Sequence, residues 1–103
     1  MQTLSYDHAA AAAALDRLIA VARSDTDQSR RVADFLLAWW NDGDNGAFPI
    51  SHMFGVDREI GFDIATIVAF LAAHPGAIYA DQFGRRDDMT ELVELWRAVD
   101  QQA

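Results

Sequence analysis

Arg58-Glu59-Ile60-Gly61-Phe62-Asp63-Ile64-Ala65-Thr66-Ile67-Val68-Ala69-Phe70-Leu71-Ala72-Ala73 decides the fold class. Ile60, Ile64, Ile67, Val68 and Leu71 recur at intervals of three and four, the spacing of one helix face. Phe62, Ala65, Ala69 and Phe70 fill much of the remaining circumference, and between Ala65 and Ala73 only Thr66 is polar. A bilayer span needs about 20 apolar residues, so the stretch is too short for one. It therefore predicts the central, most buried helix of a soluble bundle. Asp57 stands where an N-cap belongs, and His74-Pro75-Gly76 ends the helix.

Upstream, Gln28 to Asn41 predicts a second long helix. Val32, Phe35, Leu36 and Trp39 form one stripe, and Ala33, Leu37 and Trp40 form another beside it. That arc is too wide for a helix covered on one side. Ser24 to Asp27 supplies capping side chains, and Asp25 with Gln28 has capping-box spacing. Asn41-Asp42-Gly43-Asp44-Asn45-Gly46 stops the helix and turns the chain. Phe48 and Pro49 follow, then one helical turn from Ser51 to Phe54, with Gly55 before the next element. Asp7 to Arg23 predicts the first helix, with Ala11, Leu15, Leu18, Ile19 and Ala22 on one face. Residues 1–6 read as a flexible lead. The alanine run from Ala9 to Ala14 lacks the basic flank of a secretory leader, since Asp7 and His8 precede it.

Downstream, Ala77 to Phe83 suggests a short helix carrying Ile78, Tyr79 and Phe83. Gly84 to Asp87 turns the chain. Asp88 with Glu91 resembles a capping box for a last helix running to about Asp100, with Met89, Leu92, Val93, Trp96 and Val99 on its inner face. No segment alternates as a strand does. The expectation is an all-α fold, a bundle of four principal helices with one or two short ones, forming a single helical domain over residues 7–103. A faint repeat sets Phe35-Leu36 and Phe48 against Phe70-Leu71 and Phe83 at an offset of 35. With so few matches, chance is the simpler reading.

A chain of 103 residues, 51% hydrophobic, can build a core without disulfides or metals. There is no cysteine, which removes disulfides, thiolate metal sites and cysteine nucleophiles and suits a cytoplasmic location. All eight bases are arginine, so lysine nucleophiles and Schiff-base chemistry are excluded. Sixteen acids give a net charge of −8, which disfavours direct nucleic-acid binding and anionic membranes.

The chemistry-bearing motifs fail their spacing tests. In the Asp42–Gly46 loop no register places oxygen ligands, glycine and a closing glutamate as a calcium loop requires. His8, His52 and His74 are too far apart in sequence to share a helix face as metal ligands. His74 reads as a helix cap. Adjacent Ser51 and His52 diverge on a helix and serve poorly as nucleophile and base. Phosphate-binding glycine loops are missing. The expectation is no cofactor, no metal and no catalytic residue. The Arg30-Arg31 and Arg85-Arg86 pairs lie among many acids and read as ordinary surface ion pairs.

The tandem indoles Trp39-Trp40, followed by an acidic glycine loop and Phe48, are the most suggestive feature. Neighbouring residues on a helix point in different directions, so both can pack in the core, or one can sit at its edge as part of an interface. Trp39, Trp40, Asp42, Asp44 and Phe48 are the candidate partner-binding residues.

Gln28-Ser29-Arg30-Arg31-Val32-Ala33-Asp34-Phe35-Leu36-Leu37-Ala38-Trp39-Trp40-Asn41, with Gly55-Val56-Asp57 and Glu94-Leu95-Trp96-Arg97, resembles an uncharacterised family of small acidic helical proteins of proteobacteria and their mobile elements. The similarity covers Leu15 to Arg97. It implies no activity and no catalytic residues, and points to an accessory role in mobile DNA.

The first functional expectation is a non-enzymatic protein–protein interaction protein, with a protein partner that includes self-association as a homodimer. An alternative is an acidic DNA mimic presenting Asp87, Asp88, Glu91 and Glu94 to a nucleic-acid-binding protein. A further alternative is a small hydrolase-like enzyme, with His52 and Asp57 or Glu59 as acid–base groups.

Overall fold

In order along the chain come α1 (His8–Ala22), α2 (Asp27–Asn45), a 3₁₀ segment (Ile50–Gly55), α3 (Arg58–Ala73), a second 3₁₀ segment (Ala80–Phe83) and α4 (Arg86–Trp96). The structure is a computed structural model that describes residues 7–97, the side chain of Asp42 excepted. No strand occurs among the described residues, and the all-α bundle expected from the sequence is the fold. No described helix is long and apolar enough to cross a membrane. The lead at 1–6 and the expected last turn through Val99 and Asp100 lie outside the described residues.

The helix starts follow local chemistry, though not always the partners expected. Asp7 caps α1, its carboxylate accepting from the Ala10 N–H at 2.6 Å. Thr26, not Asp25, caps α2: its Oγ1 accepts from the Ser29 N–H at 2.9 Å. The capping box of Asp25 with Gln28 is not formed, because Gln28 reaches out of its own helix. Its Oε1 accepts from the Asp57 N–H at 2.5 Å, and its Nε2 donates to the Asp57 carboxylate at 3.4 Å. Asp57 thus holds the N-cap position of α3 without its carboxylate bonding an N–H of that helix; its carbonyl accepts from the Gly61 N–H at 2.9 Å. At α4 the Asp88–Glu91 box also gives way. The helix begins earlier, at Arg86, and both carboxylates accept from Arg23 of α1.

α2 breaks where the sequence breaks. Asn41 has extended backbone (φ −167°, ψ 89°), and one more turn runs on to Asn45. The Asn41 amide starts that turn, accepting from the Asp44 N–H at 3.3 Å and donating to the Asp44 carboxylate at 2.9 Å. Gly46 then takes φ +91°, a conformation costly for any residue with a Cβ.

The core is built on α1 and α2. Ala11, Ala14, Leu15, Leu18, Ile19 and Ala22 of α1 are buried, as are Ser29, Val32, Ala33, Phe35, Leu36 and Leu37 of α2. Alanines let the α1 backbone approach closely, and α1 packs against both α2 and α3, while α4 closes on α2. Each fully buried leucine contributes about 1.5–3 kcal/mol of transfer free energy.

α3 is therefore not the central helix that its composition predicts. It buries Asp63, Ile64, Thr66, Ile67 and Phe70 and lies mainly on α1. Its opposite side stays open: Val68 is 49% exposed, Ala72 is exposed, and Phe62, Ala65 and Ala69 are half-buried. The cause is arrangement. α1 packs against both α2 and α3, and among the described residues no long helix packs on the far side of α3.

Arginines stitch the helices together. Arg17 grips Asp63 across α1 and α3 at 2.8 and 3.0 Å. Arg23 joins α1 to Asp88 and to Glu91, the latter at 2.5 Å. Arg85 bridges Asp16 and Asp88. Arg97 bonds Asp34 of α2 at 2.6 Å. The hydrogen bond that Arg17 donates to Asp63 holds its guanidinium above the ordinary pKa, and the one that Arg23 donates to Glu91 does the same there, in each case against a desolvation cost. A cation raised in this way stabilises the fold at every pH below its unfolded value. The contribution fades only as strongly alkaline pH passes the raised one.

Candidate functional site

The sequence places the indoles at the end of α2, and the structure surrounds them with shallow concavities. Trp39 is half-buried. Its Nε1 donates to the Ile78 carbonyl at 3.0 Å, and its ring meets Phe83 edge-on at 6.1 Å. Trp40 is also half-buried and packs on the core. Neither indole is fully core nor fully exposed: the chain breaks directly after them, and among the described residues no element covers their outer edges.

Trp39 stands where three grooves meet. With Trp40, Asn41, Tyr79 and Asp81 it lines a groove of about 420 Å³. With Gly76, Ala77, Ile78 and Leu71 it lines a smaller one of about 200 Å³. The third, about 410 Å³, runs along the seam between α2 and α3, walled by Phe35, Ala38, Trp39, Ala47, Phe48 and Leu71. None of those six side chains is ionisable. Phe48 meets Phe35 edge-on at 5.5 Å and His52 at 5.6 Å, so it belongs to the wall of this groove.

Asp44 is exposed and tied to Asn41, at the rim beyond Trp40. The side chain of Asp42 lies outside the described residues. The loop is anchored from below. The Asn45 amide donates to the Leu37 carbonyl at 3.3 Å, and Arg97 donates to the Asn45 carbonyl at 2.9 Å while holding Asp34. The grooves beside it thus have a fixed edge.

Two residues that sequence reasoning missed are the most exposed large hydrophobics among the described residues. Phe54 is 93% exposed and Ile50 is 82% exposed, four residues apart on the first 3₁₀ segment. The segment holds its place through Arg31, which donates to the Gly55 carbonyl at 3.3 Å. Gly55 permits that approach, since a Cβ there would come within 2.6 Å of the guanidinium. A signal was present in the sequence. Ile50, Met53, Phe54 and Val56 crowd into one short turn, which has too little inner face for all of them.

Of the acid–base candidates, His52 packs on Phe48, and its Nδ1 is buried without a hydrogen-bond partner. Asp57 and Glu59 line a separate groove of about 630 Å³ between α1 and α3, together with Arg17, Ile60, Phe62 and Asp63. His74 places its Nδ1 3.0 Å from the Gly76 carbonyl. His8 stacks on Phe83 at 4.5 Å. Among the described residues no three His, Asp or Glu side chains gather as metal ligands.

No curated protein and no solved structure matches the chain. Residues 12–97, which include every described candidate residue, match the profile of a family of unknown function (DUF7673), and the chain belongs to that family.

Proposed function

We propose that the chain is a non-enzymatic interaction protein that docks a protein partner on the face formed by Trp39, Trp40, Phe48 and the 41–48 loop. One observation carries this reading. Trp39 lies at the junction of three shallow grooves, one of them walled by Ala47 and Phe48, which directly precede the almost fully exposed Ile50 and Phe54 in the chain. Aromatic side chains at groove edges are the usual anchors of protein interfaces. Asp44 stands at the rim, where charge steers approach more than it adds affinity. The setting we propose is the cytoplasm, in an accessory role for mobile DNA of the kind the sequence resemblance implies.

Trp40→Ala tests the reading. It should abolish assembly or partner capture while far-ultraviolet circular dichroism keeps its helical signal. Unchanged oligomeric state and unchanged partners would overturn it. The DNA-mimic alternative has weaker support, because Asp88 and Glu91 are engaged by Arg23 and Arg85, which interrupts the negative face of α4.

A further inference from the structure

We infer that the occupant of the seam groove is a second copy of this chain, with Phe54 and Ile50 of each protomer seated in the groove of the other. This rests on the interaction reading and names its partner. Three observations carry it.

The first is shape. Phe54 and Ile50 project from the segment that directly follows the groove wall of Ala47 and Phe48. A two-fold contact uses the same patch on both partners, so it needs a projection and a matching hollow on one face. An unrelated partner would need only one of them. Here the projecting Ile50 and Phe54 and the groove-wall residues Ala47 and Phe48 belong to one continuous run, residues 47–54.

The second is charge. The chain carries −8, so two copies repel over most of their surfaces. Gly46 to Val56 contains no Asp, Glu, Lys or Arg, and the six groove-lining residues are uncharged. This is where like-charged copies approach at least cost. A basic partner would be drawn to the acidic surfaces instead.

The third is area. An aromatic side chain buries about 150–250 Å², so Phe54 with Ile50 brings roughly 300 Å² into contact. The opposing groove wall adds less, since Phe35 is buried and Trp39, Phe48 and Leu71 are half-buried, and the two-fold doubles the sum to about 800 Å², the size of a weak, transient contact. A reversible dimer follows, populated as concentration rises.

Sedimentation equilibrium of the full chain tests this. The average mass should climb from monomer to dimer as concentration rises from about 1 µM to about 500 µM. Phe54→Asp places a carboxylate in the groove, and Ala47→Arg fills the groove with a guanidinium. Each should weaken self-association at least about tenfold. Both positions are exposed, so the circular dichroism and melting temperature should stay those of the parent. An equal mixture of the two variants should associate better than either alone. One intact projection then meets one intact groove, and the introduced carboxylate meets the introduced guanidinium. A parent chain that remains monomeric throughout overturns the inference. So do variants that dimerise like the parent, or a mixture no better than its components. A monomeric chain whose Trp40→Ala variant loses a different protein partner overturns this inference alone. If no variant alters any association, the interaction reading falls with it.

Discussion

α2 and α3 carry almost the same apolar pattern and meet different fates. Each has a Phe-Leu pair followed by a phenylalanine at the same spacing, Phe35-Leu36 with Phe48 and Phe70-Leu71 with Phe83. The contacts repeat as well: Phe35 meets Phe48 edge-on at 5.5 Å, and Phe70 meets Phe83 edge-on at 5.8 Å. Yet Leu36 is completely buried and Leu71 only half-buried. α2 is covered by α1, by α4 and by the first 3₁₀ segment, whereas α3 leans chiefly on α1. The width of an apolar arc states how much surface a helix would gain by covering. It does not state how many neighbours arrive.

The contrast can be broken most severely on α2. Leu36→Ala should cost about 3 kcal/mol, the usual penalty for emptying a tightly packed leucine site. For a domain of this size that lowers the melting temperature by roughly 10–20 °C, measurable by thermal denaturation. The two sides of α3 offer a sharper internal control. Ile67→Ala, on the buried side, should cost about 2–3 kcal/mol in urea unfolding. Its neighbour Val68→Ala, on the open side, should change stability by less than about 0.5 kcal/mol. Equal losses at both positions would mean that something covers the outer side of α3, contrary to the packing described.

Arg97→Met probes the anchor under the indole loop. It leaves the partly buried Asp34 without its cation and frees the Asn45 carbonyl, at a cost of about 1–2 kcal/mol by chemical denaturation. The grooves beside Trp39 should loosen with it, giving a red shift in tryptophan fluorescence. The smallest expected effect is at Phe54. Phe54→Ala removes the largest exposed side chain on the first 3₁₀ segment and should shift monomer stability by less than about 0.5 kcal/mol, read at a concentration where self-association is absent.

Much of the fold was legible before any coordinates. α3 begins and ends at the residues that its N-cap aspartate and its terminating His-Pro-Gly mark, and α1 differs from its expected range by one residue at each end. These boundaries depend on local backbone chemistry within a few residues. The capping boxes were misread for a non-local reason. Gln28 answers to Asp57, and Asp88 and Glu91 answer to Arg23, partners distant in sequence that outbid the local N–H groups. The candidate surface was half legible. Trp39, Trp40 and Phe48 stand out as aromatics beside a chain break, but Ile50 and Phe54 were absorbed into a short turn, where only the crowding of apolar residues, and no periodicity, marks an outward side.

Residue pattern alone determined that this chain is all-α, where its helices break, and that it offers no cysteine or lysine side chain for chemistry. Those properties follow from backbone propensity and residue inventory, which act over a turn or two of chain. Tertiary structure decided which apolar surfaces are hidden. It packed the alanine-rich α1 against both α2 and α3, left one side of α3 open, and set Phe54 outside. Burial is a property of what the rest of the chain brings alongside, and one-dimensional periodicity carries no record of that.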